Sequence, residues 1–215
     1  MHGRSMTEPS ALATGPRLHF GVVILAAGAS SRMGTPKQLL PVNGRAMVVR
    51  AAEAALATRA APVVVVLGAN ADKVRPALAP LPILITENPD WPAGMASSIR
   101  AGMAALSSAS PLLDAVVMAL CDQPAFSSHV IARLLSAQRA SGRNIVAARY
   151  AGRNGAPALF CRSQFGRLAA LEGDRGARTL LNGDPESVES VELSQLAIDL
   201  DSPADYETFL KGRVG

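Results

Sequence analysis

The stretch HFGVVILAAGASSRMGTPKQLL, residues 19–40, joins an apolar run to a loop rich in glycine, hydroxyl groups and positive charge. Residues 19–27 predict a β-strand buried on both faces, because the run has no regular polar alternation. The loop that follows carries two cations, Arg32 and Lys37. A strand ending in such a loop is typical of α/β proteins that bind ligands at the carboxyl ends of their strands.

Short β-branched runs alternate with alanine- and leucine-rich segments along the rest of the chain. Further strands are predicted at 62–68, 82–89, 114–124, 144–150, 156–161, 186–193 and 196–201. Helices are predicted at 46–59, 71–79, 95–108, 127–142, 162–171, 176–183 and 203–212. This alternation predicts a single α/β domain, Rossmann-like and three-layered, with a mostly parallel sheet and helices on both faces.

Composition narrows the class of protein. The net charge of +4 is dispersed, and no block of lysine or arginine indicates a nucleic-acid or membrane surface. No apolar run approaches the length of a membrane span. The two cysteines, Cys121 and Cys161, are predicted to be buried apolar side chains rather than disulfide or metal ligands. Few cysteines and no secretion signal predict a cytoplasmic protein.

The first residues differ from the rest of the chain. Residues 1–17 lack a periodic apolar pattern, and we expect this N-terminal segment to be disordered. Its opening MHGRS, before Met6, looks like the remnant of an expression tag. The folded domain is therefore predicted to span residues 18–215.

The glycine loop matches neither common phosphate-binding template. The Walker pattern fails because five residues separate Gly28 from Gly34 and because Gln38 follows Lys37. The dinucleotide pattern GxGxxG is absent from the sequence.

The chemistry of the loop nevertheless suits an anion. Gly28 permits close backbone approach and a positive φ, and Ser30 and Ser31 add hydroxyl donors. Arg32 and Lys37 add positive charge. On composition alone, a phosphate site and a surface loop with solvated charges are both open.

A family resemblance favours the phosphate site. LAAGASSRMGTPKQLL, residues 25–40, resembles the LAAGxSxRMGxxKxLL loop of nucleotidyltransferases with the glycosyltransferase-A-like fold, and most closely that of molybdenum cofactor cytidylyltransferases. Four other stretches support this branch: NPDWPAGMASSIRAG (88–102), CDQPAFSS (121–128), LEGDRGARTLL (171–181) and DLDSPADY (199–206). Ala204 departs from the family pattern, which usually has an acid there. The resemblance covers residues 20–210 and implies a nucleotide-diphospho-sugar-transferase-like fold.

The resemblance implies that the loop binds a nucleoside triphosphate. The nucleotide contacts it implies in the loop are Leu25, Ala26, Ala27, Gly28, Ser30, Ser31, Arg32 and Lys37. Two further predicted contacts are Gly94, just before a later helix, and Ser97, within that helix. The pair Ala26–Ala27 resembles the pyrimidine-using members, which predicts CTP. Arg32, Lys37 and Asp122 are the expected catalytic residues.

Two acids are candidates to bind Mg²⁺. Asp122 follows an apolar strand, and the stiff Gln123–Pro124 turn is expected to aim its carboxylate outward; the alternative is a helix cap or turn former. The resemblance gives Asp122 the metal-binding role and makes Asp201 the second ligand. Asp201 competes with Ser202 as cap of the last helix, and Asp199 is a weaker candidate ligand.

The acceptor side is predicted from two further segments. A turn at Gly155–Pro157 is expected to approach the site. Arg175 and Arg178 are three residues apart, so they share one helical face that suits an acceptor phosphate. A solvated face is the alternative for these two arginines.

The predicted reaction is Mg²⁺-dependent transfer of CMP from CTP to molybdenum cofactor, with release of pyrophosphate. The resemblance implies a xanthine-dehydrogenase-type molybdoenzyme as recipient of the product. One alternative is another acceptor, such as a sugar or polyol phosphate. A second is a nicotinamide-dependent oxidoreductase, because nicotine blue oxidoreductase resembles this family. A cofactor carrier without catalytic activity is a third.

Overall fold

The central strand of the protein is β1 (Phe20–Ala26), in a computed structural model that describes residues 18–211. β1 is buried along its whole length and pairs in parallel with β4 (Val63–Leu67) on one side and β6 (Ala115–Leu120) on the other. Apolar side chains on both faces suit a strand between two helical layers. The predicted first strand is confirmed.

The remaining strands are β2 (Pro41–Val42), β3 (Arg45–Ala46), β5 (Leu84–Glu87), β7 (Ile145–Tyr150), β8 (Arg153–Cys161) and β9 (Val188–Glu192). Seven strands form one sheet in the order β5-β4-β1-β6-β8-β7-β9, and only β8 runs antiparallel to the others. The helices are α1 (Met47–Leu56), α2 (Ala71–Leu78), α3 (Met95–Ala109), α4 (Ser128–Ser141), α5 (Phe165–Ala169), α6 (Arg178–Asn182) and α7 (Pro203–Lys211). The mostly parallel α/β sheet is as predicted. The predictions for residues 1–17 lie outside the described residues.

Helices cover both faces of the sheet. Apolar residues of α1, α2 and α4 pack with Val22 and Ile24 on one face, and those of α3, α5 and α6 pack with Val23 and Leu25 on the other. This alternation follows from the period of two in a strand. The three-layer prediction is confirmed. Within residues 18–211, no helix has the length and apolar character needed to span a membrane.

Residues 196–201 do not form the predicted strand. Apolar residues alternate along the sequence at Leu196, Ile198 and Leu200, but Ile198 is exposed while the two leucines are buried, so the three side chains do not share one face as they would in a strand. Residues 194–197 instead form a 3-10 turn after β9. The backbone N–H of Leu200 donates to the carbonyl oxygen of Asp122 at 3.3 Å, so the segment reaches the end of β6.

The predicted turn at Gly155–Pro157 is also wrong. The chain reverses at Ala151–Gly152, and residues 155–157 belong to β8. The pairing of β7 with β8 shifts between Ala147 and Ala148, which leaves Ala156 and Pro157 as a bulge. A bulge accommodates proline because the ladder is locally broken there.

A capping box starts α7 and settles which residue caps it. The hydroxyl of Ser202 accepts from the backbone N–H of Asp205 at 3.2 Å, and the Asp205 carboxylate accepts from the Ser202 N–H at 2.8 Å. Ser202 is therefore the cap, and the alternative that placed Asp201 there is wrong. The Asp201 side chain is left to face the glycine loop.

We expect Ser202→Ala to lower the free energy of unfolding by about 1 kcal/mol, because the helix loses its capping acceptor. Urea unfolding followed by circular dichroism measures the change. Glu207→Gln, on an exposed position of the same helix, is the control and should shift stability by less than about 0.5 kcal/mol. Equal stabilities of the two variants would argue against the capping box.

Candidate active site

Ser30 and Gln38 shape the glycine loop from within. Ser30 has a positive φ of 57°, and its hydroxyl accepts from the Lys37 backbone N–H at 3.0 Å and donates to Gln38 Oε1 at 3.2 Å. The Gln38 amide is buried and donates to the carbonyl oxygens of Ala26 at 2.9 Å and Gly28 at 2.8 Å. These bonds join the two ends of the loop. Ser30 thus organises the loop, and Gln38 is a site residue that the sequence motif did not reveal.

The left-handed backbone conformations of the loop fall at Ser30 and Gly34, and not at Gly28 as predicted. A side chain at Gly28 would meet no atom within 4 Å. Gly28 therefore borders open space, which agrees with its predicted position beside a ligand. Serine residues rarely adopt the left-handed backbone conformation, and the two hydrogen bonds of the Ser30 hydroxyl maintain this conformation here.

Lys37 joins two acids that are far away in the sequence. Its Nζ donates to Asp122 Oδ2 at 2.5 Å and to Asp201 Oδ1 at 2.8 Å. Arg32 donates to Asp201 Oδ2 at 2.9 Å from an exposed position. The Lys37 and Asp122 side chains are each only 16% exposed. The structure therefore brings together the four charged residues predicted for catalysis and metal binding.

Mutual charge neutralisation governs the titration of this cluster. Burial alone would lower the pKa of Lys37, but the charges of Asp122 and Asp201 and their hydrogen bonds outweigh it and raise that pKa. The hydrogen bond from Lys37, with the charges of Lys37 and Arg32, lowers the pKa of Asp201 against an opposing effect of burial. Lys37 and Asp201 are thus both charged at neutral pH.

Asp199 lies beside the cluster but has no cation of its own. Burial, followed by the negative charges of Asp122 and Asp201, raises its pKa to about 6. The buried Cys121 thiol at the end of β6 also has a raised pKa, because burial and the charge of Asp122 disfavour the thiolate. Cys121 is consequently not an activated nucleophile.

The oxygens of Asp122 and Asp201 fit a hard divalent cation that also binds a substrate. Asp122 Oδ1 is buried without a hydrogen-bond partner, so one acceptor of this carboxylate is unused. Among residues 18–211, no three side chains of His, Cys, Asp or Glu are arranged to hold a metal ion by themselves. Mg²⁺ commonly takes one or two carboxylates and completes its octahedron with waters and phosphate oxygens.

A cleft of about 240 Å³ opens above the ends of β1 and β6. The predicted residues that line it are Leu25, Ala26, Ala27, Gly28, Lys37, Gly94 and Asp122. Ser30, Ser31, Arg32 and Ser97, which were also predicted to contact the nucleotide, do not line it. The Ser97 hydroxyl is buried and donates to the carbonyl oxygens of Asp90 and Gly94, each at 2.8 Å, and its neighbour Ser98 lines the cleft instead.

Gly94 allows a second loop to close against α3. Its φ is 103°, and a side chain there would come within 2.7 Å of the Gly173 carbonyl oxygen. The same oxygen accepts from the Ala96 N–H at 3.1 Å. Only glycine permits this contact without displacement of the backbone. Residues 171–177 are thereby held over the start of α3.

This loop borders a second cavity of about 210 Å³ that adjoins the first. Leu25, Met95 and Leu120 line both cavities. The predicted acceptor residues that line the second cavity are Gly155, Arg175 and Arg178. Pro157 is buried within β8 and does not reach it.

A cleft at the carboxyl ends of parallel strands, with a donor-rich loop and a lysine between two acids, defines a nucleotide-binding α/β protein. Residues 22–191 match the family described as the MobA-like NTP transferase domain. This chain belongs to that family.

The chain is similar to a named relative in sequence and to solved structures in fold. The chain is 39% identical over 181 residues to nicotine blue oxidoreductase from Paenarthrobacter nicotinovorans. This alignment covers 80% of this chain and 86% of that protein. The chain is 31% identical to Rv0371c from Mycobacterium tuberculosis H37Rv, with a TM-score of 0.75 and coverage of 90% and 98% of the two chains. A structure of Rv0371c in complex with manganese is also similar, with a TM-score of 0.72, 28% identity and the same coverage.

Proposed function

We propose that this protein is a Mg²⁺-dependent cytidylyltransferase that transfers CMP from CTP to molybdenum cofactor and releases pyrophosphate. The observation that carries the proposal is the Lys37–Asp122–Asp201 cluster, which adjoins a cleft of about 240 Å³ and a second cavity of about 210 Å³. The structure of the related Rv0371c in complex with manganese supports the use of a divalent cation.

In the proposed reaction, a phosphate oxygen of the acceptor attacks the α-phosphorus of CTP, and the bond to pyrophosphate breaks. The second pKa of a phosphate monoester is near ~6, so the acceptor is largely dianionic at neutral pH. No general base is then needed. Mg²⁺, held by Asp122 and Asp201, would neutralise the negative charge of the triphosphate.

The protein's own cations and backbone supply the rest of the charge stabilisation. Lys37 and Arg32 are placed to bind phosphate oxygens once a metal ion takes over the two acids. The space beside Gly28 is open, so a ligand can approach the loop backbone there, and loop N–H groups would donate to the same oxygens. Catalysis on this scheme consists of positioning and electrostatic stabilisation.

The choice of CTP rests on the wall of the cleft. Ala26 and Ala27 lie at the end of β1 and are held in place through Gln38. The resemblance of this alanine pair to pyrimidine-using relatives supports cytosine. The arginines at the rim of the second cavity, Arg175 and Arg178, are the proposed contacts to the acceptor. A xanthine-dehydrogenase-type molybdoenzyme is the proposed recipient of the product.

An oxidoreductase is a second candidate function, because nicotine blue oxidoreductase is 39% identical to this chain. The lysine–acid cluster has an evident use in metal-dependent phosphoryl chemistry and none in hydride transfer. Pyrophosphate release that requires a divalent cation distinguishes the two functions.

Product identification by mass spectrometry tests the proposal. All four nucleoside triphosphates compete in the presence of Mg²⁺, with molybdenum cofactor or a set of sugar phosphates as acceptor. We expect the cytosine dinucleotide of the cofactor, because a site built for one base leaves polar groups unpaired with another. Omission of metal should abolish the reaction.

Other products would revise separate parts of the proposal. A guanine dinucleotide would overturn the choice of nucleotide alone, and turnover with only a sugar phosphate would overturn the choice of acceptor. Oxidation of NADPH by a quinonoid dye, with no nucleotidyl product, would assign the protein to the oxidoreductases.

A further inference from the structure

The structure leaves three buried side-chain oxygens without a hydrogen-bond partner among residues 18–211. They are Asp122 Oδ1, Gln123 Oε1 and Asp199 Oδ1. All three are acceptors, and all three belong to the active-site region. A buried acceptor without a donor is unfavourable, so this grouping indicates a place where a ligand supplies donors or positive charge.

A flip of the Gln123 amide would not provide its Oε1 with a hydrogen-bond donor. Its Nε2 donates to the carbonyl oxygens of Ala156 at 3.1 Å and Leu196 at 3.4 Å, and to the Tyr150 hydroxyl at 3.0 Å. Carbonyl oxygens only accept, so a flipped amide would place Oε1 against them. The unpaired acceptors are therefore a property of the site and not of one choice of amide orientation.

Asp199 is the acid that lines the second cavity. Its Oδ1 is buried without a hydrogen-bond partner, and the carboxyl group also interacts with the Gln123 side chain. The other uncharged polar side chains of that cavity are already bonded within the protein. Tyr150 donates to the Ala156 carbonyl at 2.8 Å, Asn154 donates to the Leu181 carbonyl at 3.0 Å, and Asn182 donates to the Arg178 carbonyl at 3.1 Å. Among the residues that line this cavity, Asp199 is thus the one acid that can accept hydrogen bonds from a ligand.

The remaining lining separates into two kinds of surface. Ile99, Met118, Phe160 and Leu181 form apolar walls. Arg153, Arg175 and Arg178 are exposed at the rim and carry donors only. This arrangement suits a flat heterocycle between the walls, with N–H groups toward Asp199 and an anionic substituent toward the arginines.

We propose that Asp199 is a specificity-determining residue that recognises the N–H edge of a nitrogen heterocycle in the acceptor, namely the amino-lactam edge of a pterin. A carboxylate accepts two adjacent N–H donors, and an amino group next to a ring N–H presents two such donors. This inference rests on the proposed function, because the acceptor proposed there contains a pterin.

A binding experiment without CTP tests Asp199 independently of catalysis. The intrinsic fluorescence of neopterin monophosphate reports its binding to wild type, Asp199→Asn, Asp199→Ala and the control Asp72→Asn, which alters an exposed acid that lines neither cavity. We expect both Asp199 variants to bind at least tenfold more weakly and the control to match wild type. The analogue with a 2-oxo group in place of the 2-amino group should bind wild type weakly and should not distinguish wild type from the variants.

A second measurement separates recognition of the acceptor from metal binding. The affinity of Mn²⁺ with CTP, followed by electron paramagnetic resonance, should change less than about twofold in Asp199→Asn. If Asp199→Asn lost Mn²⁺ binding but kept its affinity for the pterin, Asp199 would be a metal ligand and the inference would be overturned. Thermal melting identifies variants that fold, and Asp199→Ser replaces any that does not.

The remaining outcomes distinguish this inference from the proposed function. If wild type forms the cytosine dinucleotide but the KM for the acceptor is the same in the Asp199 variants, the inference is wrong and the function stands. If wild type binds no pterin phosphate and uses only sugar phosphates, both the proposed acceptor and this inference are wrong.

Discussion

Replacement of Asp122 by asparagine is expected to abolish nucleotidyl transfer and to leave the fold intact. Asp122 follows the buried strand β6 and accepts from Lys37 with one oxygen, while its other oxygen is buried and unpaired. Asparagine has nearly the same shape but lacks the charge that a hard cation requires. Loss of a metal ligand should lower the rate by well over tenfold, and each decade corresponds to ~1.4 kcal/mol of transition-state stabilisation.

Pyrophosphate release and thermal melting should be measured on the same preparation of Asp122→Asn. The matched control is Asp72→Asn, the same substitution at an exposed position of α2. The control should retain wild-type activity. Activity of Asp122→Asn above about a tenth of wild type would argue against a direct ligand.

Lys37→Ala is expected to lower kcat/KM for CTP about a hundredfold, with a smaller effect on stability. Lys37 is the buried cation between Asp122 and Asp201, and it lines the nucleotide cleft. Loss of a buried charge that binds phosphate oxygens removes both affinity and transition-state stabilisation. The two carboxylates remain without their cation, so some loss of stability is also expected.

The same variant reports on the place of the metal ion. With Lys37 removed, two acids share one site without a neutralising charge, so Mn²⁺ should bind more tightly in the absence of nucleotide. Electron paramagnetic resonance of Mn²⁺ measures this change, with Lys73→Ala, an exposed lysine of α2, as the control. Unchanged kinetics, or simple unfolding, would show that Lys37 has a structural or surface role.

Periodicity and local chemistry were enough to predict most of the architecture. Continuous valines at 63–66 can only be accommodated by a strand with apolar layers on both faces, and this is the position of β4 in the sheet. Where the same reasoning failed, at 196–201, apolar residues alternate along the sequence, but the segment pairs with no strand of the sheet and Ile198 is exposed. Alternation in the sequence does not by itself give the backbone a partner strand.

The sequence by itself determined which residue types meet at the carboxyl ends of the strands, since the glycine loop and Asp122 each follow a strand that must be parallel to its neighbour. Only the tertiary structure decided how they interact. Lys37 bridges Asp122 and Asp201, which are 85 and 164 residues away along the chain, and no local pattern records such a distance. Gln38 and Gln123 are likewise defined by the backbone carbonyls they meet. A buried amide takes its role from the unpaired groups around it, and these exist only once the chain has folded.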